Sequence, residues 1–394
     1  MNKDKLVRGV IKVFPAGSFA RKAYNKKKYD VNIKRYMDKA EAEAAEKNGE
    51  LKVKAVEKFK AELPSIAKKT EQAIERQISR TPSYKGREND EKLRLEMMFC
   101  KYAYGFEPDE FLCYGLEGKS GEERKEYVSD RDLMCYVYRM NDRIDFMVFN
   151  DKAETYSFFK KFYHREVAAI SSEKDYPEFE KYVKAHPVFV KKHVFEAMGR
   201  SIELVDSQKC GKSTRELFDE YIAGGKFIVE EKVQQSSKLA VFNESSVNTM
   251  RCITYNTKNG IVVPYCFMKI GRRGSFVDNG GAGGILAGID NDTGIINTDG
   301  FDEFNTRYIC HPDSEVDFKG YQIPDFKQAV EISKKMSAMI PSVRFIGWDL
   351  AHTEKGWVVI EGNGMSQLIG PQIVWEHGVK SEVEKIISDM DLIL

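Results

Sequence analysis

Residues 343–364, VRFIGWDLAHTEKGWVVIEGNG, contain the pattern that most constrains the fold of this chain. Two runs rich in β-branched and aromatic residues flank Glu354-Lys355-Gly356, which is typical of a β-hairpin. With the turn centred on Lys355, residues whose numbers add up to 710 face each other across the strands. Asp349 and Glu361 form such a pair, so we expect their Cβ atoms about 4.5–5.5 Å apart on one face.

Two carboxylates placed directly opposite each other destabilise a sheet unless a cation compensates them. Asn363 lies two residues after Glu361 and points to the same face. Two carboxylates and an amide oxygen are hard ligands, so Asp349, Glu361 and Asn363 predict a site for Mg²⁺ or Mn²⁺. The alternative is that the two carboxylates face solvent through an accident of register. The neighbouring Trp348 and Trp357 favour a buried hairpin instead.

The charge of the chain is divided unevenly along its 394 residues. Residues 1–100 contain 25 Lys or Arg and 15 Asp or Glu, whereas the remainder contains 37 and 46. A basic N-terminal part is consistent with a solvated helical surface, with contact to an anionic membrane, or with nucleic-acid binding. No recognised nucleic-acid-reading motif is present in the sequence, so we expect no nucleic-acid partner.

The sequence predicts a cytoplasmic protein. Apolar runs without charge stay well short of the ~18 residues that a membrane span needs. Arg8 and Lys12 interrupt the apolar start, which argues against a secretion signal. The seven cysteines are scattered and form no C-x-x-C motif, as expected for reduced thiols.

Composition predicts an α+β protein with four consecutive parts. Residues 1–90 are predicted to form a basic helical region with breaks at Asn48-Gly49 and Pro64. Residues 91–180 form a mixed, mainly helical lead-in segment. Short β-rich runs alternate with helical segments thereafter, which we divide into a smaller lobe at 181–235 and a larger lobe at 236–394.

Two glycine-containing strings suggest phosphate loops. Residues 211–214, GKST, match the end of a P-loop, but Asp206 stands where that motif requires glycine, so the match fails. Glycines at 271–284 surround Arg272 and Arg273. This segment either cradles phosphates through backbone N–H groups or forms a mobile loop.

Together these residues resemble the ATP-grasp superfamily, and more closely its sugar-transfer associated family. The resemblance is carried by short strings in a fixed order: SVNTMR at 246–251, VDNGG at 277–281, HPD at 311–313, IGWD at 346–349 and IEGN at 360–363. Weaker similarity extends back to about residue 93. The resemblance implies an α+β ATP-grasp fold with a helical N-terminal extension, in which two lobes hold ATP between them.

The resemblance also implies roles for individual residues. Lys152 and Lys191 correspond to the two phosphate-binding lysines, although Lys192 follows directly where the family usually has proline. The adenine-binding hinge is implied at Glu230, Glu231 and Val233. Phosphate or acceptor contacts are implied for Arg251, Arg273 and His311, with a structural corner as the alternative for His311. Residues 193–199, HVFEAMG, depart from the glycine-rich phosphate-covering loop of the family.

By resemblance, the chain is an ATP-dependent, Mg²⁺-dependent (or Mn²⁺-dependent) carboxylate–amine ligase that acts through an acyl phosphate on a small-molecule or saccharide substrate in glycan biosynthesis. One alternative is a phosphotransferase acting on a hydroxyl, with His311, His352 or Asp278 as base. Another is a non-catalytic scaffold. The N-terminal apolar and basic residues further predict peripheral contact with the inner face of a membrane. These residues are Leu6, Val7, Val10, Ile11 and Phe14, beside Arg8, Lys12, Arg21 and Lys22.

Overall fold

The computed structural model describes residues 3–32, 36–195, 202–272, 274–278 and 280–394, and it excludes the side chains of residues 3–6, 32 and 282. The α-helices are α1 (Lys3–Ile11), α2 (Phe19–Asn32), α3 (Lys39–Lys47), α4 (Gly49–Glu62), α5 (Pro64–Arg80), α6 (Glu91–Tyr104), α7 (Pro108–Cys113), α8 (Gly121–Lys125), α9 (Asp130–Met140), α10 (Lys152–Phe159), α11 (Tyr176–Ala185), α12 (Thr214–Ala223), α13 (Ser237–Ala240), α14 (Phe326–Ala338), α15 (Ile369–Val374) and α16 (Lys380–Ser388). The strands are β1 (Val167–Ile170), β2 (Val188–His193), β3 (Ile202–Asp206), β4 (Phe227–Glu231), β5 (Thr249–Thr257), β6 (Gly260–Ile270), β7 (Ile285–Ile289), β8 (Ile296–Phe301), β9 (Arg307–Tyr308), β10 (Phe345–Thr353) and β11 (Gly356–Asn363). Short 3₁₀ turns lie at Pro82–Tyr84, Asp145–Asn150, Lys160–Phe162, Glu173–Asp175 and Gly280–Ala282.

The predicted breaks in the N-terminal helical region are confirmed. Asn48 separates α3 from α4, and its side chain accepts hydrogen bonds from the backbone N–H groups of Glu50 and Leu51. Pro64 begins α5, where its missing N–H group costs no intrahelical hydrogen bond.

The helical domain does not end at residue 90, where the sequence division placed its boundary. Its buried core draws on residues 37–127 together with Phe301 and Ile373 of the larger lobe, and Phe59 of α4 stacks on Tyr102 of α6 with ring centroids 4.7 Å apart. The following α9 packs instead on the core of the larger sheet through Leu133, Val137 and Met140. The composition shift near residue 90 therefore marks a turn within one packed unit, because α4 and α5 bury their apolar faces on α6.

A buried ion network supports the helical domain. The guanidinium group of Arg124, whose side chain is almost fully buried, pairs with Glu46 at 3.0 Å and Glu96 at 2.6 Å. Lys52 pairs with the same two carboxylates at 3.3 and 2.8 Å. Each buried charge is thereby compensated, which buried ions in a helical core require.

The smaller sheet has the antiparallel order β1-β4-β2-β3. Helices α11 and α12 cover one of its faces, where Phe179 and Phe218 pack against Phe189 and Val229. The smaller lobe therefore starts near β1 rather than at residue 181, because β1 pairs with β4 and α11 packs on the same core.

The larger sheet has the antiparallel order β11-β10-β5-β6-β7-β8-β9 within the described residues. Helix α14 lies on one face, where the indole N–H of Trp348 donates a hydrogen bond to Ser337 at 2.9 Å. On the other face, α15 packs against Phe267 of β6. Side chains alternate along β10, so Asp349 points away from α14.

The hairpin of β10 and β11 has the predicted Asp349–Glu361 pairing, but it reaches this register by a different route. At the tip, Thr353 pairs with Gly356, so the numbers of paired residues there add up to one less than the predicted 710. A β-bulge between Asp349 and Leu350 shifts the register, so that Asp349 lies opposite Glu361. The bulge directs these two side chains to one face at the end of the hairpin.

Candidate active site

A row of three charged side chains crosses adjacent strands of the larger sheet. Glu361 of β11 lies opposite Asp349 of β10, which lies opposite Arg251 of β5. The guanidinium group of Arg251 donates to both carboxylate oxygens of Asp349, with Nη2 2.7 Å from Oδ2, and also to Ser366 at 3.2 Å. The Asp349 side chain is only 2% exposed, so this two-point contact holds a charge inside the protein.

Lys269 of β6 joins this row as a second cation. Its Nζ lies 3.2 Å from Asp349 and 3.5 Å from Asp278, whose carboxylate also accepts a hydrogen bond from the backbone N–H of Thr249 at 3.0 Å. Burial alone would raise the pKa of the Asp349 carboxyl, but Arg251 and Lys269 outweigh it and hold that pKa well below its usual range. Asp349 is thus ionised at any physiological pH.

Glu361 and Asn363 lie at the outer side of the row and are partly exposed. The amide Nδ2 of Asn363 donates to Glu361 at 3.2 Å, so both predicted metal ligands of β11 point to one place. Among the described residues, no three His, Cys, Asp or Glu side chains are grouped to hold a metal ion by themselves. The oxygen donors of Asp349, Glu361 and Asn363 suit a hard cation that takes its remaining ligands from a bound phosphate.

The two neighbouring lysines of β2 point to opposite faces of the smaller sheet. Lys191 lies on the helix-covered face, with its ammonium group 4.9 Å from the centre of the Tyr221 ring. Lys192 lies on the other face, where it is buried and pairs with Glu230 of β4. The structure therefore does not bring Lys191 to the side of the metal-site residues, because strand alternation directs it towards α12; Lys192 occupies that side.

Arg165 connects this face of the smaller sheet to the larger sheet. Its guanidinium group pairs with Glu230 at 2.8 Å and donates to the backbone oxygen of Val359 in β11 at 2.5 Å. Burial would raise the pKa of Glu230, but Arg165 and Lys192 keep it below its usual range. The Lys192–Glu230–Arg165 group is thus linked to the strand that carries Glu361.

The predicted hinge follows β4. The backbone N–H of Glu231 donates to Glu166 at 3.1 Å, and the side chain of Glu231 accepts from the N–H of Glu166 at 2.9 Å. Within the described part of the chain, the backbone N–H groups of residues 232–234 donate no hydrogen bond to another residue. Gln235 then fixes the chain to the larger lobe by accepting a hydrogen bond from the N–H of Asn248 at 3.1 Å.

Lys152 begins α10 next to the end of β2. Its backbone N–H donates to the oxygen of Val194 at 3.3 Å, and the carboxylate of Asp151 caps the helix. The residue is therefore placed beside the segment that follows Lys192. Residues 196–201, which include Gly199 of the predicted phosphate cover, lie outside the described residues.

His311 is fully buried and does not join the charged row. Its Nε2 bonds to the backbone oxygen of Gly271 at 3.0 Å, and its Nδ1 lies 3.2 Å from the hydroxyl of Ser314. Burial lowers the pKa of the imidazole. The sequence left two roles open for His311, a contact to the acceptor substrate and a structural corner. These contacts are those of a structural corner. Neighbouring Arg272 pairs with Asp313 at 2.8 Å, while Arg273 lies outside the described residues.

The sequence did not single out Lys269 or Arg165. The available signal for Lys269 was its position within the apolar run of β6, because a lysine in such a run needs polar or charged partners inside the protein. Arg165 stands in a connecting segment, and nothing in the sequence relates it to Glu230.

A family model described as sugar-transfer associated ATP-grasp matches residues 133–388, which is well over half of the chain. The chain belongs to this family. The matched range contains the charged row, the hinge and Lys192 of this ATP-grasp protein, whereas the helical domain up to residue 127 precedes it. Its α+β ATP-grasp fold, with a helical N-terminal region, is the one that the sequence predicted.

Solved ATP-grasp structures resemble this ATP-grasp protein at low identity. The ligase PsnB complexed with a minimal precursor, Mg and ADP is 9% identical with a TM-score of 0.39, over 64% of this chain and 61% of that chain. The N5-carboxyaminoimidazole synthetase of Staphylococcus aureus complexed with ADP is 10% identical with a TM-score of 0.39, over 62% and 52%. The D-alanine-D-alanine ligase of Coxiella burnetii is 11% identical with a TM-score of 0.35, over 61% and 57%. The chain thus spans between about half and three fifths of the length of these proteins. No curated protein matches it.

Proposed function

We propose that this protein is an ATP- and Mg²⁺-dependent ligase that joins a carboxylate to an amine. The observation that carries the proposal is the row Glu361–Asp349–Arg251 with Lys269 beside it. It combines two opposed carboxylates with two largely buried cations on one face of a sheet. Phosphoryl transfer from ATP needs this combination, because a metal and fixed positive charges must together neutralise the transferred group.

Three residues are proposed as ligands of the metal: Asp349, Glu361 and Asn363. A bound Mg²⁺, or Mn²⁺ in its place, supplies charge neutralisation at the phosphate oxygens. Arg251 is already oriented by its two-point contact with Asp349, so its guanidinium group needs little reorganisation to face a phosphate. Lys152 and Lys192 are proposed to bind phosphates from the smaller lobe, with Lys192 released from Glu230 as ATP enters.

The proposed reaction has two steps. An oxygen of the acid substrate attacks the γ-phosphorus of ATP, the bond to the β-phosphate oxygen breaks, and ADP leaves with that electron pair. The amine then attacks the acyl carbon, inorganic phosphate leaves and the amine loses a proton. The positive charges of Arg251 and Lys269 offset the negative charges of the attacking carboxylate and of the γ-phosphate. The repulsion between these two groups is thereby lowered.

The adenine is proposed to bind at the hinge formed by Glu230, Glu231 and Val233. The free backbone N–H groups of residues 232–234 support this, because adenine presents hydrogen-bonding groups along one edge. The family description supports a saccharide or another small molecule of a glycan pathway as the substrate, and we expect no nucleic-acid partner.

A phosphotransferase that acts on a hydroxyl is the second candidate, and the position of Asp278 favours it. This carboxylate lies 3.5 Å from Lys269 at the edge of the charged row, where it is placed to accept a proton from an alcohol. His311 and His352 are not placed for this role, since both are buried in contacts away from the row.

The two candidates are separated by measuring ADP release with panels of sugar acids, amino acids, amino sugars and neutral polyols. A ligase releases ADP only when an acid is present, and product accumulates only when an amine accompanies it. A phosphotransferase releases ADP with a neutral polyol alone and loses this activity in Asp278→Asn. Release with a hydroxyl substrate in the absence of any acid would overturn the ligase proposal.

A further inference from the structure

The N-terminal helices expose a cluster of large apolar side chains that the rest of the protein does not cover. Their exposed fractions range from 41% to 89%. The cluster, here called the N-terminal apolar patch, consists of Val7, Val10, Val13, Phe14 and Phe19. It follows the second half of α1, the connecting turn and the first residue of α2. None of the helices in the described residues is long and apolar enough to span a bilayer.

The segment that carries the patch is anchored to the protein by polar contacts of Arg21. Arg21 is buried and pairs with Asp142 and Asp145, both at 2.8 Å. The same guanidinium group donates to the backbone oxygens of Phe14 at 2.8 Å and Lys12 at 3.3 Å. These bonds fix the turn between the helices by its backbone and leave the side chain of Phe14 outside. The prediction that Arg21 faces a membrane is therefore wrong, because its guanidinium group is buried and pairs with two carboxylates of the protein.

A second contact secures α2. Asn25 is fully buried, donates to Asp142 at 3.0 Å and accepts from the backbone N–H of Arg143 at 3.0 Å. The attachment of α1 and α2 to the segment after α9 thus relies on polar bonds. The apolar side chains of the patch are not needed for it, so they are available for another surface.

The charge around the patch is mainly positive, although Asp4 precedes it and Asp30 pairs with Lys26 at 3.2 Å. Between residues 5 and 29 the sequence contains eight Lys or Arg and no Asp or Glu. Lys12, Lys22, Lys26 and Lys27 are exposed. Arg8 is partly buried and contacts the Met147 sulfur. The side chain of Leu6, which the sequence placed in this group, lies outside the described residues.

We propose that the N-terminal apolar patch and its surrounding lysines bind the surface of an anionic membrane. Apolar side chains enter the boundary between headgroups and acyl chains, while lysines pair with lipid phosphates. A second copy of the same patch is a poor occupant because the lysines would repel one another. Nucleic acid offers phosphates but no apolar surface for five bulky side chains. A membrane satisfies both features.

Flotation of the full chain with lipid vesicles tests the proposal. One vesicle is phosphatidylcholine with about a third phosphatidylglycerol, and the other is phosphatidylcholine alone. We expect the wild type to float with the anionic vesicles and to partition at least about tenfold less onto the neutral ones. The quadruple variant Val10→Ser, Val13→Ser, Phe14→Ser, Phe19→Ser should bind anionic vesicles at least about tenfold more weakly. It should keep the wild-type melting temperature, since these side chains are exposed.

The matched control replaces exposed apolar residues far from the patch in sequence. Ile309→Ser with Val262→Ser should float like the wild type to within about twofold. The proposal is overturned if the wild type stays unbound, if it binds both vesicles equally, or if the quadruple variant binds as well as the control. Light scattering that shows a dimer abolished by the quadruple variant, without vesicle binding, would assign the patch to self-association instead. Retention on duplex DNA without vesicle binding would likewise overturn the membrane proposal.

Discussion

Asp349 and Glu361 lie opposite each other across β10 and β11, yet their electrostatic surroundings differ. Arg251 and Lys269 both pair with Asp349, whereas Glu361 forms no ion pair within the described residues. Asp349 therefore contributes to the folded structure as well as to the proposed metal site. Glu361 is left with its charge available to a ligand, and in the described part of the chain Asn363 is the one residue that hydrogen-bonds to it.

Asp349→Asn is expected to lower both the stability and the activity. Removing the buried charge leaves Arg251 and Lys269 uncompensated, which should reduce the free energy of unfolding by about 3 kcal/mol at pH 7. Because the pKa of Asp349 is lower in the folded than in the unfolded chain, its contribution is present above about pH 4 and is lost as the pH falls further. Urea unfolding measured from pH 7 to pH 3 should show the difference between wild type and variant shrinking towards acid. A constant difference would contradict the assigned role.

Lys192 and Lys191 provide a matched pair of neighbouring residues. Lys192→Met is expected to weaken ATP-analogue binding at least tenfold, or about 1.4 kcal/mol, because Lys192 lies on the side of Arg165 and β11. Lys191→Met should change the dissociation constant less than about twofold, since Lys191 packs over Tyr221 on the opposite face. Calorimetric titration measures both. If Lys191→Met weakened binding more than Lys192→Met, Lys191 rather than Lys192 would be the phosphate-binding residue.

Arg124 is expected to be important for the stability of the helical domain. Arg124→Met leaves Lys52 as the one cation that pairs with Glu46 and Glu96 within the described residues, and should cost about 3–5 kcal/mol in the free energy of unfolding. Adjacent Lys125, which pairs with exposed carboxylates, is the control, and Lys125→Met should cost less than about 1 kcal/mol. Equal effects in urea denaturation would show that burial of the Arg124 network is not stabilising.

His311 is expected to make the stability fall as the pH decreases below the ordinary pKa of histidine, about 6.5. The pKa of its buried imidazole is below the ordinary value of about 6.5, so the unfolded chain takes up the proton first. Its contribution is complete above that value and declines as the pH falls towards 5. His311→Gln should be less stable at pH 8 and should lose less stability between pH 8 and 5 than the wild type. The exposed His377→Gln should behave as the wild type in both respects.

Local sequence patterns predicted the parts of the fold that depend on local chemistry. Asn48 and Pro64 mark helix boundaries because capping and a missing N–H group act within one turn. The hairpin that carries Asp349 and Glu361 was predictable from its turn and its alternation. The bulge after Asp349 was not, because it arises from pairing on both sides of β10.

Long-range contacts account for what the sequence could not provide. Strand alternation separates Lys191 from Lys192, but which of the two faces the larger lobe depends on where α11 and α12 pack. The burial of Arg21 depends on Asp142, more than a hundred residues later. Lys269 similarly reaches Asp349 only through the order of β10, β5 and β6.

Calorimetric titration with a non-hydrolysable ATP analogue, with and without Mg²⁺, tests the central claim most directly. We expect Mg²⁺-dependent binding with a micromolar dissociation constant. Glu361→Gln should remove the Mg²⁺ dependence while changing the free energy of unfolding by less than about 1 kcal/mol, because Glu361 is partly exposed and forms no ion pair with any described residue. No binding by the folded wild type under either condition, or unchanged Mg²⁺-dependent binding by Glu361→Gln, would contradict the proposed nucleotide and metal site.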